Sequence, residues 1–162
     1  MGGRPWPARL LALSMLLWGV AAIGGSVGIL GAPDGSAMSW DTAWLVHTPF
    51  SDWLVPGLLL LGVGLVSLVA GALLVRDLVR RTSRAWVGTA LLLVALVHVA
   101  WIAGEVALLW GPVSGTDATT RRFFLVFWAV YVPWALLDLA LAAVWRGRGV
   151  RRPSHAPARP GH

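Results

Sequence analysis

Cysteine, lysine, asparagine and glutamine are all missing from this chain. Without cysteine there can be no disulfide, thiol redox pair, thiolate metal site or iron–sulfur cluster, which excludes a membrane thiol oxidoreductase. Charge is scarce as well. Only 12% of the residues are charged, against about a quarter in an ordinary soluble domain. With 57% hydrophobic residues there are too few polar groups to cover a water-facing surface, so most of the chain must be solvated by lipid. All thirteen basic residues are arginine. Together with abundant Ala, Gly, Val, Leu and Pro, that bias points to a high-GC bacterial genome.

A pI near 11.7 could suggest a nucleic-acid partner, but the position of the arginines matters more than their number. They cluster at the ends of apolar segments, where they meet headgroups and fix orientation. The expected partner is therefore the lipid bilayer, with a second copy or another membrane protein as further options, and no nucleic acid.

A bilayer core about 30 Å thick needs roughly 20 apolar residues of helix. Four segments meet that requirement: Leu10–Leu30, Trp53–Val75, Trp86–Trp110 and Phe123–Trp145. Each is expected to be a helix, because a lone helix satisfies its own backbone hydrogen bonds in lipid and a lone strand cannot. The fold class is thus an all-α membrane protein, a four-helix bundle running up-down-up-down over residues 1–145. Residues 146–162 are Arg-, Pro- and Gly-rich with no apolar face, and read as a disordered basic tail held near anionic lipid.

Arginine placement sets the orientation. Arg4 and Arg9 precede the first span; Arg76, Arg80, Arg81 and Arg84 fill the second connection; Arg146, Arg148, Arg151, Arg152 and Arg159 follow the fourth span. With both termini in the cytoplasm, eleven of the thirteen arginines lie on that side of the cell membrane. The connection from Gly31 to Asp52 has no basic residue and carries Asp34, Asp41 and Asp52, so it is expected outside. Arg121 and Arg122, at the outer mouth of the fourth span, are the exceptions. The N-terminus also has the basic start and apolar stretch of a secretory signal. Its long unbroken apolar run, and Pro33 just after the small pair Gly31–Ala32, favour a retained first span.

Trp6, Trp53, Trp86, Trp110 and Trp145 fall at or near span ends, where an indole suits the headgroup zone. In the outer connection, "GAPDGS" reads as a turn. The stretch "MSWDTAWLVHTPF" then places Trp40, Trp44 and His47 at helical spacing, predicting a short amphipathic helix on the outer leaflet. Ser51 or Asp52 can cap the second span, and Pro56 is tolerable in its first turn. Gly24 and Gly28 form a GxxxG on the first span. Ser67 and Gly71 repeat the small-xxx-small spacing on the second, so these four are expected at helix-packing faces, within the bundle or between protomers. Pro133 frees the carbonyl of Ala129 and reads as a packed kink.

Three ionisable side chains lie well inside the spans: His98, Glu105 and Asp138. Such groups usually face protein or water rather than lipid. At about 100° per residue, His98, Trp101 and Glu105 share one narrow stripe. Phe127, Tyr131, Trp134 and Asp138 likewise share a face of the fourth span. Consecutive spans are antiparallel neighbours, so the two stripes are expected to meet.

Depth decides the pairing. With His98 and Trp134 at mid-bilayer and about 1.5 Å rise per residue, Glu105 lies about 10 Å outward and Asp138 about 6 Å inward. Asp138 can reach His98 but not Glu105. The latter is better matched with Tyr131, or with Arg121 or Arg122 reaching down. Two readings follow. Either these are polar clasps between the third and fourth spans, or they form a proton-responsive or ligand-binding chamber opening outward, with Glu105 as its titrating group. No metal site is expected, since a third ligand is not evident, and no cofactor.

From "AAIGGSVGILGAPDGSAMSW" through "TPFSDWLVPGLLLLGVG" to "AWIAGEVALLW", the chain resembles a group of uncharacterised small four-span bacterial membrane proteins. The shared pattern is a Gly pair (Gly24–Gly25), a D-x-G turn (Asp34–Gly35), a PF-x-D-x-x-x-PGL entry to the second span, and a W-I-x-x-Gln/Glu step at Trp101–Glu105. The resemblance covers residues 20 to 110 and implies a four-span fold without assigning an activity. It also implies that Pro49, Phe50, Asp52, Pro56 and Gly57 dock the outer loop onto the bundle. The option of Gln at the Glu105 position favours the clasp. The sequence therefore points first to a non-enzymatic accessory, structural, or small-ligand or lipid-binding membrane protein. The alternative is a small proton-coupled carrier using Glu105 and His98. An enzyme is disfavoured, because no nucleophile or metal set is seen to converge.

Overall fold

The computed structural model describes residues 6–150 apart from 81 and 83, with the side chains of 148–150 also outside the description. These residues form an all-helical bundle: α1 (Trp6–Gly31), α2 (Leu54–Arg80), α3 (Ala85–Ser114) and α4 (Ala118–Val150). All four are long and apolar enough to cross a membrane, so this is a multi-pass membrane protein. Large apolar side chains such as Leu13, Val20, Leu65, Leu93 and Leu136 are about half exposed on the outer faces. A surface of that kind is stable in acyl chains and not in water.

The helices outrun the apolar stretches. α4 starts five residues before the expected Phe123 and continues through 146–150, so those residues are helical and not part of the tail. The remainder of the tail, 151–162, lies outside the described residues. The early start of α4 has a local cause. Asp117 accepts hydrogen bonds from the Thr119 and Thr120 amides, at 2.8 and 3.1 Å, and from the Thr120 hydroxyl, which supplies the N-cap. Led by the Thr120 hydroxyl and amide, these donors hold the Asp117 carboxyl below the usual aspartate range. At the arginine-rich end, buried Asp77 accepts from the Thr82 hydroxyl and the Arg84 amide, tying the end of α2 to the start of α3.

The bundle is two tight hairpins, α1–α2 and α3–α4, set against each other through a looser seam. The first hairpin is close because both partners present small residues every seventh position. Gly57, Gly64 and Gly71 of α2 face α1, which brings Ala12 and Gly19 to the seam and, one heptad on, carries the buried Ser26. A Cβ built on Gly64 would lie 3.0 Å from the Gly19 carbonyl oxygen, and one on Gly71 would lie 3.3 Å from that of Ala12. Backbones approach this closely only where the side chain is hydrogen. Within the bundle, the Gly24–Gly28 pair does not form this seam. Gly24 has nothing within 4 Å of a built Cβ, and Gly28 faces Met38 of the loop. The operative period is seven residues, as in antiparallel pairs whose seams repeat by the heptad. Gly57, expected to dock the loop, instead packs on Ile29 and Leu30 of α1.

The Gly31–Asp52 connection folds over its end of the bundle. It contains two one-turn 3-10 helices, Ser36–Met38 and Thr42–Leu45, in place of the expected surface helix. Trp40 and Trp44 point inward, with ring centroids 5.9 and 5.6 Å from Phe124, while His47 is exposed. The reason is the turn chemistry. Gly35 has φ 85°, and a Cβ there would collide with the Trp40 carbonyl oxygen. Asp34 binds the Ser36 amide and hydroxyl, and Asp41 the Ala43 amide, each starting a separate short turn. Asp52 caps α2 through the Leu54 amide, and Trp53 donates its amide to the Pro33 carbonyl.

Candidate functional site

Two constellations occupy the interior, one above the other. The lower one is a hydrogen-bonded chain across all four helices. The Trp134 indole on α4 donates to Ser14 Oγ of α1 at 2.5 Å, and Ser14 donates to Asp138 Oδ1 of α4. Asp138 Oδ2 lies 3.2 Å from His98 Nδ1 of α3, and His98 Nε2 lies 2.7 Å from Ser67 Oγ of α2. Ser67 in turn donates to the Val63 carbonyl at 2.6 Å. His98, Asp138 and Ser67 are fully buried.

The proton count of this chain closes in one direction. Ser67 has one hydroxyl proton, and Val63 takes it, so Nε2 of His98 must carry a hydrogen and donate to Ser67. One further proton is then held between Nδ1 and Oδ2. The His98–Asp138 pair is net neutral whichever atom carries that proton, as a dry membrane interior requires. Trp18 of α1 stacks on the imidazole at a centroid distance of 4.2 Å and 17° between planes.

Ser67, His98 and Asp138 have the order of a nucleophile, base and acid. The sequence had not disclosed this convergence, because Ser67 is spaced like a packing residue. Ser67 is 0% exposed, its proton is directed to the Val63 carbonyl, and it is not in the lining of the cavity described below. The hydrogen-bonded chain is wider than a link between α3 and α4, since Ser14 and Ser67 bring in α1 and α2. Ser14 and Trp18 were missed in the sequence. The signal was a hydroxyl and an indole four residues apart at the same depth as Ser67.

The upper constellation is a cavity of about 410 Å³ beneath the loop. Trp18 forms its floor, Met38, Trp40, Phe50 and Trp53 its roof, and all four helices its walls. Its lining is overwhelmingly apolar and aromatic. Glu105, the only glutamate in the chain, is the single carboxylate in it. Trp101, one turn earlier, and Tyr131 of α4 share the wall with Glu105. Tyr131 stacks on Phe127 at 4.3 Å and meets Trp18 edge-on at 5.2 Å. His98 and Glu105 thus belong to different sites, divided by the Trp18 ring.

The expectation that Arg121 or Arg122 reaches down to Glu105 is not met. Arg121 sits over the Ser114 carbonyl at 3.4 Å, Arg122 is exposed, and neither lines the cavity. Of the expected docking residues, Phe50 and Pro56 line the cavity, Asp52 caps α2 and Pro49 is exposed. The cavity is not sealed: among its lining residues Phe123 of α4 is 54% exposed, Leu59 of α2 51% and Leu108 of α3 41%. Among the described residues no group of three His, Asp or Glu side chains is placed to hold a metal ion. No family model, curated protein or solved structure matches the chain.

Proposed function

We propose that this membrane protein binds a small, predominantly apolar ligand that reaches it through the bilayer. The observation that carries this reading is the aromatic cavity itself, about 410 Å³ in volume, and its half-exposed lining residues Leu59 and Leu108 support entry from the bilayer between α2 and α3. Pockets of this size and lining are the usual form of small-molecule sites. A bundle selected only for tight packing would fill such a space with side chains, as the α1–α2 seam does. We place both termini in the cytoplasm and the loop outside the cell membrane, on the strength of the arginine distribution.

A proton-coupled carrier has less support. It would need water to reach His98, whose nitrogens are both bonded and whose ring is covered by Trp18. The polar chain is a floor to the cavity rather than a conduit.

Full-length protein in nanodiscs should bind the neutral fluorophore N-phenyl-1-naphthylamine saturably, in excess of empty discs. Gly104→Phe should abolish that excess. Gly104 lines the cavity and has nothing within 4 Å of a built Cβ, so the ring can enter without a clash and thermal stability should hold. Absence of saturable binding by the parent protein would overturn the reading. Orientation is tested in the same cysteine-free background: Ala37→Cys should react with an impermeant maleimide added outside intact cells.

A further inference from the structure

The cavity holds one carboxylate and no cation to match it. Among the described residues no basic side chain lines it. Arg121 is engaged at the Ser114 carbonyl, and His98 lies behind Trp18, bonded to Ser67 and Asp138. Neither α1 nor α2 contributes a titratable group to the wall, the loop contributes none, and α4 contributes only Tyr131. The cavity that Glu105 shares is rich in π-surface, including Trp18, Trp101, Phe127 and Tyr131. Ring faces carry partial negative charge and attract cations, most strongly where water is excluded. A carboxylate among aromatic faces is complementary to one kind of guest, an apolar molecule bearing a single diffuse positive charge. The half-exposed lining residues Leu59 and Leu108 support entry of such a molecule from the bilayer.

Building on the ligand-binding reading above, we propose that the cavity selects lipophilic organic cations, with the ammonium or equivalent group seated against Glu105 and the aromatic walls. Trp18 forms the inner limit of the site. The loop ring Trp40, packed 4.9 Å from Trp53, closes the opposite end. An anionic headgroup or fatty acid is disfavoured by the same carboxylate, because no arginine in the lining could answer its charge.

The test compares two ligands of nearly the same shape, benzyltrimethylammonium and its neutral carbon isostere neopentylbenzene. Each is radiolabelled and measured by equilibrium dialysis against full-length protein in nanodiscs and against empty nanodiscs, which corrects for partition into lipid. The cation should bind about tenfold more tightly than the isostere after that correction. Glu105→Gln should remove most of the difference while leaving the neutral ligand's affinity unchanged. Tyr131→Leu should reduce the preference and Tyr131→Phe, which keeps the ring, should preserve it. Equal binding of the two ligands by the parent protein overturns the cation proposal and leaves the apolar-ligand reading standing. Binding of neither overturns both. If Glu105→Gln does not fold, the comparison on the parent protein and on the two Tyr131 variants still decides the matter.

Discussion

His98 and Glu105 stand seven residues apart on one face of α3, yet their surroundings are opposites. His98 is fully buried, bonded at both nitrogens and roofed by an indole. Glu105 looks into a cavity with no cation in its lining. The first is a polar group whose hydrogen bonds are met by the protein, within a chain that touches all four helices. The second is a polar group whose needs the fold leaves open, which is the condition for recognising something else. A buried ionisable residue in a membrane span is a functional candidate by default. The contrast shows that this default must be divided according to whether the hydrogen bonding is complete.

Substitutions should separate the two regions by size of effect. Asp138→Ala strips acceptors from Ser14 and His98 together, and should lower unfolding stability by about 3 kcal/mol in a reversible detergent titration. A change below about 0.5 kcal/mol would mean the chain is not a clasp. Gly64→Val comes next. It forces side-chain atoms into the Gly19 and Ile23 backbone, and should cost about 1–3 kcal/mol by the same titration, whereas Gly24→Val, facing open space, should cost far less.

Glu105→Gln should leave stability within about 0.5 kcal/mol, because the amide keeps an acceptor for the Trp101 indole and no cation in the lining answers the charge. A loss as large as that of Asp138→Ala would erase the distinction between the regions. The smallest effect lies at the start of α4, outside both. Asp117 has its carboxyl held below the usual range, so its contribution is complete above the ordinary aspartate pKa and is lost as pH falls through the lower folded value. Amide exchange at Thr119 and Thr120, corrected for intrinsic rate, should therefore rise below about pH 4, while the His98 region stays protected.

Much of the candidate site could be read in the sequence as address but not as environment. Stripe and depth along α3 and α4 require only helical geometry, and they brought His98 towards Asp138 and Glu105 towards Tyr131. Ser14, Ser67 and Trp18 escaped notice because serine and tryptophan are unremarkable in an apolar span until partners are known. The loop helix was misjudged for a related reason. Trp40 and Trp44 have helical spacing, but Asp34, Gly35 and Asp41 break the backbone into separate turns that send both rings inward.

Taken by itself, the sequence determined the solvent and the number of helices. The scarcity of polar residues leaves lipid as the only medium for four long apolar segments, and in lipid each segment must satisfy its own backbone as a helix. The tertiary structure decided which small residues meet and which polar groups are satisfied. It also decided where space remains. Those outcomes depend on the rotation and separation of helices that are apolar on most faces; only α3 and α4 carry a polar stripe to announce how they are turned, and α1 and α2 carry none. The glycines at Gly57, Gly64 and Gly71 draw α1 and α2 together, and the α2–α3 seam, lacking such a repeat, stays wide enough for the cavity beside Glu105.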